Sequence, residues 1–323
     1  MKIDAFATQT HWFDHVAAVW KHLEPDERGT FYMGSYNMCG AASRNAVLAE
    51  AKFPPRVNRP ILCASWADAS RALRVGRPVI LMEHGVGQSF NVKHPSYSGA
   101  NEHAALRLRL APNEHAARTH RASKASKVPV EVVGVPKMDD LVALHPPPGD
   151  TVALSNHWGD RNTLVPEMGG AWFEWHQHYL AIPARFPGAL GHAHPKLWPK
   201  MHGLLAEYGF EPVEHFSAVC RRASVYVCDG VSTLYEFAAL DRPVVVLNPP
   251  QFRRDIHHGG RFWDWADVGV QVSDPDAICD AIMEARADRP EQAARRREIT
   301  AEVFPYLGQA GLRAVAAMRS HFD

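Results

Sequence analysis

Residues 225–249 read VYVCDGVSTLYEFAALDRPVVVLNP, a buried strand, a small-residue turn, a short helix and a second buried strand. Val225, Val227 and the Val244–Leu247 run are β-branched or aliphatic without strict alternation. That pattern belongs to parallel strands covered on both faces, and it places any chemistry at their carboxyl ends. Between the strands, Gly230, Ser232 and Thr233 open the helix. Its free backbone N–H groups and its dipole favour a phosphate, and the two hydroxyls supplement them. Glu236, one turn further on, is placed to accept hydrogen bonds from a ribose diol, as the acidic residue of other dinucleotide folds does. An ordinary βαβ crossover with Ser and Thr as helix caps accounts for the same residues.

Working outward, the first half of the chain alternates short apolar runs with helical patterns: Ile3–Thr8, Trp12–Leu23, Thr30–Met33, Ala41–Ala51, Ile61–Ala64, Asp68–Val75 and Val79–Glu83. Val92–Ala105 is polar and rich in Gly and Pro, after which Leu106–Leu110 and Val130–Val133 resume the strand pattern. This is the cadence of an open, mostly parallel α/β sheet. His145-Pro-Pro-Pro-Gly-Asp150 then interrupts it, since consecutive prolines join neither a helix nor a sheet interior. The division expected is therefore a domain over 1–147 and a second over 148–323. The second series runs through Val152–Leu154, Leu180–Ile182, Ala189–Ala193 and Met201–Tyr208 to the strands flanking Asp229. Helices at Pro275–Ala287 and Pro290–Ala301 close it, and the Ala-rich Gln309–His321 is expected to cross back onto the first domain.

The 323 residues suffice for two domains, each with its own core. Lys plus Arg and Asp plus Glu are both 35, so net charge gives no support to a polyanion-binding role. Cys39, Cys63, Cys220, Cys228 and Cys279 stand singly, without zinc or redox spacing, and read as reduced core residues of a cytoplasmic protein. No apolar stretch approaches the ~18 residues of a membrane span, and the first residues do not read as a signal peptide.

Four further clusters fall where strands end, which is where open α/β sheets bind ligands. Glu83-His84-Gly85-Val86-Gly87-Gln88 follows the run VILM. His84 is the candidate general base, because an unperturbed imidazole takes a hydroxyl proton near neutral pH. Gly85 and Gln88 fall on the acceptor side of the same turn. Gly191-His192-Ala193-His194-Pro195-Lys196 follows a short strand around Leu190; a protonated His194 and Lys196 would neutralise a leaving diphosphate. Metal binding by His192 and His194, with His176 and His178 repeating the spacing, is the competing idea, but no carboxylate or cysteine set accompanies them. Val132–Asp139 ends a strand with Gly134 and Pro136 shaping a turn whose backbone suits a base or phosphate, or a purely structural role. His11 and His15 lie beside the first helix as acceptor contacts or scaffold, with Trp12 and Trp20 as core aromatics. Arg118–Lys127 is the one local basic patch and reads as a solvated loop or a steering surface for an anion. P-loop, G-x-S-x-G, H-E-x-x-H and G-x-G-x-x-G motifs are absent from the sequence, which argues against kinases, serine hydrolases, zinc proteases and classical dehydrogenases.

The order strand-EHGVGQ, strand-GVPKMD, strand-SNHW, strand-GHAHP and CDGVSTLYEFAALDRPVVVL resembles the CDP-glycerol glycerophosphotransferase family over roughly residues 79 to 249. The resemblance implies GT-B architecture: two Rossmann-like doubly wound domains facing each other across a cleft. It implies a base at His84 (H-G-T-like motif), a donor-diphosphate contact at His194 (H-P motif), phosphate binding by Asp229, Ser232 and Thr233 (D-Y-S-S-like segment) and a ribose contact at Glu236. The sequence departs from those motifs: His84-Gly-Val-Gly-Gln-Ser lacks the threonine and lysine, and Asp229-Gly-Val-Ser lacks an aromatic and a hydroxyl.

The expectation is a transferase moving a glycerol-phosphate or glycosyl group from a nucleotide-activated donor to an acceptor hydroxyl, with no cofactor or metal required. Its partners are the nucleotide-diphosphate donor and an acceptor on a polymer or small molecule. The alternatives are a nucleotide-sugar glycosyltransferase acting on a glycan, protein or modified nucleic-acid base, a nucleotide-sugar epimerase, and a non-catalytic nucleotide-binding protein.

Overall fold

The computed structural model describes residues 1–33, 53–86, 105–122, 127–143, 151–157, 170–195, 197–229, 232–249 and 263–322. They fall into two units: described residues up to Val86, those from Ala105 to Ala143 and Phe304–Phe322 in the first, and those between Thr151 and Val303 in the second. The proline-rich linker at 145–150, the helical pattern Ala41–Ala51, Cys39 and the segment from Val92 to Ala104 lie outside the described residues. Among the described residues no helix is long and apolar enough to cross a membrane.

In the first unit, β1 (Ile3–Ala7), β2 (Arg28–Met33), β3 (Ile61–Cys63), β4 (Val79–Met82), β5 (Leu108–Ala111) and β6 (Val130–Val132) form a wholly parallel sheet in the order β2-β1-β3-β4-β5-β6. The order reverses between β1 and β3, which opens a crevice at their carboxyl ends. One face carries Ile3, Ala5, Leu62, Ile80 and Leu108 against Trp12, Phe13 and Val16 of the helix Thr10–Trp20 and Ala314, Val315 and Met318 of the helix Ala310–Phe322. The other carries Phe6, Ile61, Cys63 and Val79 against Ala69 and Ala72 of the helix Trp66–Arg74. Burial on both faces is why these strands read as continuous apolar runs.

One buried charge sits in that sheet. Asp4 on β1 is fully buried; its Oδ2 accepts from Arg77 at 2.5 Å, and its Oδ1 from Thr30 N at 2.7 Å and Arg59 at 3.0 Å. Arg77, itself buried, also donates to the carbonyls of Arg59 and Pro55. Four segments are thereby tied to one carboxylate. Gly29 is required beside it, since a Cβ there would collide with Asp4 Oδ1 and would lie 2.7 Å from the Ile3 carbonyl oxygen.

In the second unit, β7 (Thr151–Asn156), β8 (Leu190–Ala193), β9 (Glu211–Pro212), β10 (Ala223–Cys228), β11 (Val244–Leu247) and β12 (Val270–Val272) form a second parallel sheet, ordered β12-β11-β10-β7-β8-β9. This is the strand order of a dinucleotide-binding fold, reversing between β7 and β10. Val225, Val227, Val245 and Leu247 face a core of Trp175, Tyr179, Ile182, Leu205 and Ile282. Tyr226, on the opposite face, stacks on Phe237 at 5.1 Å and meets Phe216 at 5.7 Å. The run Leu180–Ile182 lies in helical turns, the 3-10 segment His176–Leu180 followed by the helix Ala181–Arg185. Its Ile182 packs into this core, whereas Leu180 is exposed. Cys63, Cys220, Cys228 and Cys279 are buried, with no disulfide among the described residues.

The helix Ala310–Phe322 is fastened to the first unit at both ends. Asp139 accepts from the N–H groups of Ala310 and Gly311 at 3.2 and 2.8 Å, and Arg319 grips Glu27 bidentately at 2.6 and 2.7 Å. The Arg319 hydrogen bond lowers the Glu27 pKa from its ordinary 4.5 to about 2. A carboxylate depressed in the fold adds stability that is fully present above pH 4.5 and disappears as pH falls toward 2. Stability curves of the parent and Arg319→Gln should therefore differ at neutral pH and converge toward pH 2; parallel curves would contradict this. Asp4→Ala strands a buried guanidinium and should cost about 3–5 kcal/mol, measured as a lowered denaturant midpoint for the first unit.

Candidate functional site

Candidate groups collect at the carboxyl ends of each sheet. In the first unit the turn after β1 is locked first. Thr8 donates through N and Oγ1 to Asp68 at 3.0 and 2.6 Å, and Ser65 Oγ caps the Asp68 N–H at 3.1 Å. The helix Thr10–Trp20 therefore starts at a fixed place, with His11, Trp12 and His15 on its first turns. His84 follows β4, and Gly85 takes φ 95°, a left-handed conformation suited to glycine. The His84 ring lies 5.9 Å from His11, 5.9 Å from Trp12 and 6.4 Å from His15. Three residues of one helix start, about seventy positions before His84 in the chain, thus lie around the imidazole named from sequence.

His15 is buried. Desolvation, followed by the charges of Lys137, His84 and His11, drives its pKa well below the ordinary value, so the ring is neutral at pH 7. Its Nδ1, Trp12 Nε1 and Gln9 Oε1 are buried polar atoms with no hydrogen-bond partner among the described residues. Behind His84, Glu83 pairs with His120 at 2.9 Å, and Arg109 contacts the other ring nitrogen of His120. Burial opposes the Glu83 charge, but the His120 hydrogen bond and the charges of His120, Arg109 and His84 hold its pKa below normal. The basic stretch from Arg118 is accordingly not a solvated loop at His120, which is buried on the helix Glu114–Arg121. Arg121 pairs with Glu114, and residues 123–126 lie outside the described set.

Gly134 adopts φ 91°, and a Cβ there would lie 2.9 Å from Ala310 Cβ and 3.4 Å from Tyr306 Cβ. Its close approach serves packing by the C-terminal segment, and Pro136 begins the helix Pro136–Ala143.

In the second unit, Asp229 follows β10 and is buried. Its Oδ1 accepts from His157 N at 2.7 Å, and its Oδ2 from Ala171 N. The carboxylate thus pins the end of β7 and the return of the chain at 171 to the end of β10. His192 lies within β8 instead of following it; its Nδ1 is 2.8 Å from Ser155 Oγ, and its ring meets Phe216. His194 leaves the strand and faces His157 at 6.1 Å. The two histidines therefore engage different partners. His176 bonds the Trp172 carbonyl and His178 bonds Asp276, so the repeated spacing does not bring all four together.

The helix Ser232–Ala238 presents Ser232 and Thr233 at its start, with the Thr233 hydroxyl accepting from Tyr226 at 3.1 Å. Glu236 is fully buried on that helix. Lys196, Gly230 and Gln88 lie outside the described residues. Sequence reasoning missed Thr8, Asp68, Glu83, Asn156 and Tyr179. Asn156 and Glu83 stood within quoted motifs, whereas the Thr8–Asp68 pair spans 60 positions and left no local signal.

No protein-family model matches this chain, and no curated protein matches it in sequence. Solved structures match it in fold. UDP-GlcNAc 2-epimerase from Neisseria meningitidis, bound to UDP-GlcNAc, aligns at TM-score 0.60 and 13% identity over 99% of this chain and 100% of that one. Wall teichoic acid polymerase TagF, in a substituted form soaked with CDPG, aligns at 0.64 and 11% identity over 99% and 88%. The S. aureus MnaA–UDP structure aligns at 0.62 and 12% identity over 99% and 96%. Together with the two six-stranded parallel sheets, these likenesses define a two-domain α/β protein of GT-B type.

The neutrality of His15 is directly measurable. In NMR titrations, the ring signal lost in His15→Ala should stay at its neutral position as pH falls from 7 to 6; ordinary titration near 6.5 would contradict the burial argument.

Proposed function

We propose that this chain is a transferase that moves a glycerol-phosphate or glycosyl group from a nucleotide-activated donor to an acceptor hydroxyl. The observation that carries this reading is the constellation around His84: an imidazole at a strand tip, ringed by His11, Trp12 and His15, beside buried polar atoms that find no partner in the described protein. A buried group without a hydrogen bond costs about 1–3 kcal/mol, so such atoms point to a hydroxyl-bearing molecule supplied from outside. His84 takes the acceptor proton as general base. His11, His15 and Gly85 shape the acceptor side.

The second unit holds the donor. The end of β8 and the start of the helix Ser232–Ala238 meet the diphosphate through His194 and Ser232, with Thr233 steadied by Tyr226. Glu236 meets the ribose. Asp229 acts through the backbone it fastens, as a positioning residue. The donor contact first read at Gly134 and Pro136 gains no support from their packing. Attack at the β-phosphorus transfers glycerol phosphate and releases a nucleoside monophosphate; attack at an anomeric carbon transfers a sugar and releases a nucleoside diphosphate.

Two kinds of fold neighbour support the choice of ligand. A substituted form of TagF was soaked with CDPG, and the epimerase from Neisseria meningitidis is bound to UDP-GlcNAc. The second favours nucleotide-sugar epimerisation as the alternative, distinguished by an isomerised donor and no released nucleotide. A thermal-shift panel of cytidine, uridine, guanosine and thymidine diphosphates should give a concentration-dependent rise in Tm for at least one base. With the corresponding activated donor and acceptor, His84→Ala should lower turnover about 10²- to 10⁴-fold without altering donor affinity. Turnover equal to the parent's would remove His84 as the base, and a panel without any shift would remove the nucleotide.

A further inference from the structure

At the crevice where the second sheet reverses its order, one buried side chain has half of its hydrogen-bonding capacity unaccounted for. Asn156 is the last residue of β7 and is 2% exposed. Its backbone pairs with Ala193 across to β8, and its carbonyl accepts from His194 N at 3.4 Å. Its side-chain Oδ1 accepts from the Tyr179 hydroxyl at 3.1 Å. The amide Nδ2 is buried with no hydrogen-bond partner among the described residues. A primary amide carries two donors, and leaving them unmatched in the interior is destabilising unless a ligand or water meets them.

The surroundings say which kind of partner fits. Tyr179 is fully buried, and burial, then the charges of Asp229 and Cys228, keep its hydroxyl protonated. It therefore remains able to donate to Oδ1, the contact that leaves the amide nitrogen turned away from it. Asp229, which follows the neighbouring strand β10, accepts from the backbone amides of His157 and Ala171. The same strand ends contribute the His157 and His194 rings, 6.1 Å apart. An amide donor beside two imidazoles matches a ligand rich in acceptor oxygens, which is the character of a phosphate.

We propose that Asn156 donates through Nδ2 to the diphosphate of the nucleotide, and that Tyr179 is the positioning residue that presents it. This assignment rests on the nucleotide reading of the second unit and adds to it a contact on β7, a strand to which no donor-binding group had been assigned.

The test uses the whole protein and compares UDP and CDP with uridine and cytidine by equilibrium binding. Asn156→Asp preserves the acceptor for Tyr179 and replaces the amide donor with an anionic oxygen. It should weaken the diphosphate about tenfold or more, the worth of one hydrogen bond to a charged group, and leave nucleoside binding within about twofold. Tyr179→Phe keeps the amide but frees its orientation; it should weaken the diphosphate several-fold and spare the nucleosides, and it decides the matter if Asn156→Asp does not fold. Diphosphate affinity within twofold of the parent in both variants, or equal losses for nucleoside and diphosphate, would overturn the Asn156 contact while leaving the nucleotide reading intact. Failure of the parent to bind either diphosphate would overturn both.

Discussion

The second unit depends on a single carboxylate spent on backbone. Asp229 ends the strand at which the sheet changes direction, and it accepts the amides of His157 and Ala171. Hydrogen bonds to an ionised acceptor are stronger than neutral ones, and here they fasten the end of β7 and the return of the chain at 171 to the end of β10. Asn156, His157 and His194 are placed by these contacts, because the end of β7 is held on one side by Asp229 and on the other by β8. The residue that looks most like a ligand contact in sequence is thus a structural staple in the fold.

The first unit solves a related problem with different parts. Asp68 receives Thr8 through both N and Oγ1, so the helix bearing His11, Trp12 and His15 begins at a defined point beside β4. Burial and the cations nearby keep His15 neutral, which lets an imidazole lie in a largely apolar helix face without a counter-ion. Glu83, His120 and Arg109 form a charged network immediately behind His84. Both units therefore use buried carboxylates to set turns at strand ends and leave imidazoles at the tips.

The fold was legible because its main cause is written locally. Val225, Val227 and Val244–Leu247 lack alternation because helices cover both faces, and the strands appear where those runs predict. The strand-tip position of His84 followed from VILM and the glycine after it. What sequence could not reveal were pairings across distance: Asp4 with Arg77 is separated by 73 positions, Asp229 with His157 by 72, and Asn156 with Tyr179 by 23. Nor could it tell which way a histidine on a short strand turns, so His192 and His194, two residues apart, read alike although one faces Ser155 inside the sheet and the other leaves it. Periodicity reports burial, whereas the direction of a polar side chain depends on partners that only the folded chain brings near.

The most direct measurement is a crystal structure of the protein soaked with CDP or UDP. The account predicts diphosphate density at the carboxyl ends of β7, β8 and β10, against His194 and Ser232. A nucleotide bound at the amino-terminal edge of that sheet, or bound instead by the first unit, would contradict it.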